Sequence, residues 1–318
     1  MSPVDVRILC PGQNWMNIGS LIANGMGGYG STLPEGSTIA AVTGTPPAAM
    51  AMDGPRLVAE GRFQLAITTP SWSLALAREG RGPYDEPLPV RALANFTHDD
   101  RLALAVRAET GVTSLADIAE RRLPLKISMP TRDQGHPARW VMDEIFAMHG
   151  FSQEDLEGWG GEILRDRPRS QNSPDVVPAD PSFDAVFDEA IMTWRWRRLT
   201  TMYDLRFLPL EPWVLDRCAD LGMPAGVIEK GRFPGVDADV PTLDFSGWIL
   251  YCAEDLPDEL ARLAVRALDE QRQNVSDRFT GPTAAMTGPV DMRRICRDLP
   301  VPLHPGAEGY YRDQGHLS

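Results

Sequence analysis

The chain has 318 residues, 43% hydrophobic and 24% charged, which is long enough to bury two compact cores without metals or disulfides. Its formal charge of -13 argues against a nucleic acid or an anionic membrane surface as the main partner. No stretch approaches the roughly 20 apolar residues of a membrane span, so membrane insertion is not expected.

The predicted elements alternate from the start. Val4–Cys10 reads as a strand, and Trp15, Ile18, Leu21 and Ile22 then fall on one helical face. Thr38–Thr43 is a second strand, after which Pro46-Pro47 opens a helix broken or shifted near Gly54-Pro55. Gln64–Thr68 is a third strand with a helix over Trp72–Arg78. Val90–Phe96 and Leu102–Arg107 are strands separated by Thr97-His98-Asp99-Asp100, read as a polar hairpin turn. Ser114 to Asp117 fits a capping box, Leu125–Ser128 a strand, and Pro137–His149 a long helix stopped by Gly150. Arg165–Pro181 is an irregular loop rich in Pro, Asp, Arg and Ser. Ala185–Phe187 is a buried strand, Trp194–Met202 a helix and Arg206–Leu210 a strand. Trp194 and Trp196 cannot share a helix face, so at least one packs in a core or on an interface. Thr242–Ala253 reads as one long strand, and Asp255 to Glu259 caps the longest helix, running to about Asp277. This alternation predicts an α/β fold with mainly parallel sheet.

Several apparent motifs carry no chemistry. Gly25 to Gly30 satisfies GxGxxG as a string, yet it ends a helix and precedes a strand, the reverse of a dinucleotide-binding context. His98-Asp99-Asp100 lacks a second cluster at ligand spacing, so no metal is assigned and no cofactor is expected. The four cysteines show no CxxC spacing and read as buried small hydrophobes in a reducing compartment.

The last segment, Leu299 to Gly315, reads LPVPLHPGAEGYYRDQG. Pro300 and Pro302 force an extended entry, Pro305 opens a short helix, and Tyr310 and Tyr311 anchor it. This string resembles the C-terminal signature of TAXI-type solute-binding proteins that feed TRAP transporters. Arg56–Tyr84, Val90–Ser128, Phe183–Glu189 and the AEDLPDE segment are similar to further blocks of that family. The resemblance implies a two-lobed type II periplasmic-binding-protein fold with a central ligand cleft. Lobe one is placed at 1–107 and 209–318, lobe two at 108–208.

In such a fold, ligand-facing groups sit at strand C-termini and helix starts. Four loops qualify, contributing Asn14 and Trp15, then Thr43 and Thr45, then Thr69, Ser71 and Trp72, and finally Arg132 and His136. The bland reading of each is a helix cap or a core side chain. Where the family commonly carries a Gly-Ser-Gly-Thr anion loop, this sequence has Pro130 to His136. A backbone nest is thereby exchanged for a guanidinium, a carboxylate and an imidazole. Arg132 is expected to clamp a carboxylate, with His136 as acceptor or base. Asp188-Glu189 follows a buried strand, and Glu189 is expected to bind a ligand amine, pair with Arg132 or carry a proton.

The resemblance implies reversible binding of a small organic acid or amino acid, with TRAP membrane subunits as partners only if the chain is exported. The N-terminus shows no leader pattern, so a cytoplasmic location is the expectation. The alternative is a cytosolic enzyme on the same fold, of decarboxylase, isomerase or hydrolase type, using His136, Glu189 and Arg132 on an acidic substrate. A cytosolic sensor using the same cleft is the third option.

Overall fold

A computed structural model describes residues 3–44, 51–165, 168, 182–279 and 286–318. Its first strands and helices are β1 (Asp5–Leu9), α1 (Gln13–Met26), β2 (Thr38–Val42), α2 (Gly54–Ala59), β3 (Leu65–Thr68), α3 (Ser73–Glu79) and β4 (Val90–Phe96). There follow β5 (Ala103–Arg107), α4 (Leu115–Glu120), β6 (Lys126–Ser128), α5 (Pro137–Met148), α6 (Gln153–Gly158), β7 (Glu162–Leu164) and β8 (Ala185–Asp188). Next come α7 (Trp194–Met202), β9 (Leu205–Phe207), α8 (Pro212–Asp220), β10 (Ala225–Ile228) and β11 (Val240–Leu243). The chain closes with β12 (Trp248–Ala253), α9 (Asp258–Phe279), α10 (Met292–Ile295) and α11 (Pro305–Asp313).

The fold is α/β and divides into two compact units, Met1–Asp99 with Ser246–Ser318, and Asp100–Phe245. The first unit holds a five-stranded sheet in the order β2-β1-β3-β12-β4. In it β1, β2 and β3 are parallel, and β12 runs antiparallel to both β3 and β4. The second unit repeats the plan as β7-β6-β8-β5-β9, with β5 the antiparallel member, and adds a β10–β11 ribbon. The sheets are therefore mixed rather than mainly parallel. In the first unit the antiparallel strand β12 comes from the separate segment Ser246–Ser318, whereas β5 opens the continuous second unit.

That topology explains why the unit boundaries differ from 107/108 and 208/209. β5 pairs with β8 and β9, and Leu102 N–H donates to Leu243 O, so residues 100–107 and 209–245 belong with the second sheet. Thr97–Asp100 is correspondingly no hairpin turn. β4 and β5 belong to different sheets, and His98 and Asp100 are both buried. The single strand expected over Thr242–Ala253 is also two, with the crossover between them. Gly247 makes the break, at φ 87°, where a Cβ would come within 2.5 Å of Ser71 Oγ.

Local signals elsewhere hold. Ser114 and Asp117 form the expected capping box on α4. Pro55 opens α2 rather than breaking it, while Pro46-Pro47 and most of Arg165–Pro181 lie outside the described residues. Trp196 is fully buried beside Phe207 and Phe233, and Trp194 on the same helix is exposed. The four cysteines are free and buried. In the first unit α1 packs on α9, and α11 docks on α9 through Tyr310 Oη to Asp269 Oδ2 at 2.9 Å. No helix among the described residues is long and apolar enough to cross a membrane.

Candidate functional site

In the second unit β6 and β8 are parallel neighbours, and their C-terminal ends present the densest buried polar group. After β6 the chain makes one 3-10 turn over Arg132–Gln134, and Gly135 carries it into α5. His136 caps α5, its Nδ1 accepting the Ala138 N–H at 3.2 Å. Its Nε2 lies 3.5 Å from Glu189 Oε1, with both side chains buried. Since Nδ1 is the acceptor, a neutral imidazole carries its hydrogen on Nε2, facing the carboxylate.

Three residues missing from the expected ligand-contact set complete the group. Asp188, the last residue of β8, is fully buried and receives Arg195 Nη1 at 2.5 Å and the Glu189 N–H at 2.9 Å. Arg195, on α7, also donates from Nε to Pro168 O at 3.0 Å. Asp100 is fully buried and accepts three backbone N–H groups, from Arg101, Ile191 and Ala190, at 2.8, 2.8 and 2.9 Å. Burial, and then the charge of Glu189, push the Asp100 carboxyl well above the usual aspartate range. Ala190 adopts the left-handed region at φ 66°, a conformation a side chain resists, and Trp196 Nε1 holds the preceding carbonyl at 2.9 Å.

His136, Asp188 and Glu189 each bring a donor atom within 4.8 Å of the others, a spacing that suits a small ion. The polarity of the imidazole does not. A metal at Nε2 requires the hydrogen on Nδ1, and Nδ1 faces the Ala138 N–H. The set as built offers hydrogen-bonding groups and carboxylates rather than a metal-ligand arrangement.

Arg132 does not join this group. Its side chain is 52% exposed and is held by Glu154 and by Asp143 at 3.4 Å. Those bonds raise its affinity for its proton and pull the Glu154 carboxyl down to about 2. Asp133 pairs with Arg165 at 2.6 Å. Arg195, not Arg132, is the buried arginine bonded to Asp188 at the end of β8.

In the first unit, Trp15 is buried and meets Trp248 edge-on, in the first turn of α1, where Asn14 is half-buried. Gly12, not Asn14, occupies the N-cap. Thr69 Oγ1 donates to Gly247 O at 3.0 Å and Ser71 Oγ to Ser246 O at 3.3 Å, tying the loop after β3 to the chain entering β12. Trp72 is half-buried at the start of α3, Thr43 is exposed after β2, and Thr45 lies outside the described residues.

A sequence profile of the NMT1-like family matches residues 196–315. No curated protein matches. Among solved structures, the chain is similar to PhnD1 from Prochlorococcus marinus in complex with methylphosphonate. That likeness has 10% identity and a TM-score of 0.47, over 99% of this chain and 100% of that one. It is also similar to MatC from Rhodopseudomonas palustris with bound malate, at 12% identity and a TM-score of 0.46 over all of both chains. A TctC solute-binding protein from Polaromonas gives 12% identity and a TM-score of 0.40, over 86% of this chain and 88% of that one. At these values the fold class rests on the sheet topology itself.

Proposed function

We propose that this protein binds a small carboxylate-bearing organic acid or amino acid, as TAXI-type solute-binding proteins do. The observation that carries the reading is the polar group at the ends of β6 and β8. His136, Asp188, Glu189, Asp100 and Arg195 are all buried. Such a concentration is costly to bury, so it points to a ligand-recognition role. Arg195 supplies a cationic partner for a ligand carboxylate, and the carboxyl groups suit an amine on the same ligand. If the protein is exported, TRAP membrane subunits are the partners that this resemblance suggests.

Native mass spectrometry of the purified protein tests for a co-purifying small molecule. Calorimetry with malate, succinate, glutamate and aspartate then tests affinity directly. The reading fails if no molecule is retained and none of the four gives a binding isotherm.

A second reading is favoured by the buried His136–Glu189 pair at 3.5 Å and by Asp100, whose carboxyl is pushed up by burial and by the charge of Glu189. That is an acid–base arrangement, and it supports an enzyme acting on the same acidic ligand. The enzyme reading requires the bound ligand to be consumed, with turnover lost in Glu189→Gln. A ligand recovered intact after long incubation rejects it.

A further inference from the structure

The residues leading into α11 run along β4, the outer strand of the first sheet. Ala92 N–H donates to Pro302 O at 3.0 Å and His304 N–H donates to Ala92 O at 2.9 Å, so this segment straps the β4 edge. At the end of the strap His304 is 1% exposed and caps α11, its Nδ1 accepting the Gly306 N–H at 3.2 Å. An imidazole nitrogen accepts only while it carries no hydrogen, so the cap exists in the neutral ring alone. Protonation would set two N–H donors against each other at the positive end of a helix. The Gly306 N–H has little room to turn away. Gly306 packs on Asp258 so closely that a Cβ would lie 2.2 Å from its carbonyl oxygen.

We propose that His304 is an acid-sensitive catch: its neutral ring holds the strap from Val301 to Gly306 on the edge of β4, and a proton on Nδ1 releases it. The charged groups facing the ring come from two elements. Asp258, at the start of α9, places Oδ1 3.7 Å from Nδ1 and favours the protonated form. Its side chain is 70% exposed, so water screens that attraction. Arg91 on β4 opposes the proton, with its own guanidinium bonded to Glu254 after β12. On α11 itself, Glu308 is one turn on and bonds Arg312 at 2.8 Å. Burial is the largest influence, and the balance lowers the affinity of the His304 ring for a proton below that of an ordinary histidine. A released strap carries a histidine of ordinary affinity, so acid favours release. The strap is therefore fully held above about pH 6.5, and its open fraction grows by up to about tenfold per pH unit below that. The far end of α11 keeps its own anchors, Tyr310 Oη to Asp269 and Tyr311 Oη to Leu93 O, both at 2.9 Å. Release is thus confined to the strap and the first turn of the helix.

Native-state hydrogen exchange of the full chain from pH 7.5 to 5.0 tests the catch, with each rate divided by the intrinsic rate at its pH. Wild type is expected to lose about tenfold or more of its protection at the Ala92, His304 and Gly306 amides, while the Tyr310 and Tyr311 amides keep theirs. His304→Asn retains a cap acceptor that does not titrate, so its protection is expected to stay flat across the range. Constant protection in wild type, or persistence of the acid loss in His304→Asn, overturns the proposal. An equal loss at Tyr310 and Tyr311 is a general melting and overturns it as well. Because amides are read one by one, the similar cap of His136 on α5 does not enter. Nitrogen NMR of the His304 ring in wild type gives a reading that needs no variant. A bare Nδ1 at pH 7.5 is expected, and a hydrogen on Nδ1 there overturns the catch.

Discussion

At the scale of the residue, the two arginines nearest the strand ends behave in opposite ways. Arg195 and Asp188 are buried and bonded at 2.5 Å, so removing the cation strands a carboxylate in a low-dielectric interior. Arg195→Met is expected to cost about 3–5 kcal/mol in urea unfolding. A loss no larger than that of a surface substitution would show that the pair is solvated. Arg132 is expected to matter little, because its partners Glu154 and Asp143 compete with water and salt. Arg132→Ala should lower the melting temperature slightly at low ionic strength and not at high, and should leave ligand affinity unchanged. A large affinity loss would restore the clamp first expected of it. His136 and Glu189 were readable as site candidates because each follows a buried strand. Asp100 was not, since its neighbours His98 and Asp99 make it look like part of a polar turn. Arg195 left a trace, one turn before Leu199 and beside Trp196, on the buried stripe of α7.

At the scale of the element, caps were legible because they depend on residues three or four apart. Ser114 accepts the Asp117 N–H and Asp117 returns to the Ser114 N–H, a closed pair needing no tertiary partner. The tail worked for the same reason. His304 Nδ1 accepts the Gly306 N–H at 3.2 Å, and Pro305 opens α11. What the string could not reveal is the need for glycine at position 306. A Cβ there would lie 2.2 Å from Asp258 O and 2.7 Å from Asp258 Cα, backbone atoms at the start of α9 that cannot easily yield. Gly306→Ala is therefore expected to displace α11 and cost about 1–3 kcal/mol or more. Denaturant unfolding measures it, and hydrogen exchange at Tyr310 and Tyr311 locates it. Full protection at both tyrosines with unchanged stability would show that the helix start shifts freely.

At the scale of the whole molecule, α/β alternation was readable, but the allocation of strands to sheets was not. Most strands have a legible run of apolar residues, but the short β7 and the half-exposed β10 were not expected. Only pairing reveals that β5 leaves the unit before it and that β12 returns to the unit begun by β1. Thr242–Ala253 shows the limit, because hydrophobicity runs on through a crossover that only Gly247 marks. The allocation has a consequence for folding. Asp100–Phe245 is continuous in sequence and contains every strand of its sheet, together with a core of Trp196, Phe207, Phe233 and their neighbours. The first unit is split, and β12 lies between β3 and β4, so without residues 246–318 those two strands have no partner in common. A fragment of residues 100–245 is thus expected to unfold cooperatively on its own, as domains of this size commonly do. A chain truncated after Phe245 should keep that transition while β3 and β4 lose hydrogen-exchange protection. If the fragment melts without cooperativity, or if β3 and β4 stay protected in the truncated chain, the stability of the two units is not divided as their sheets are.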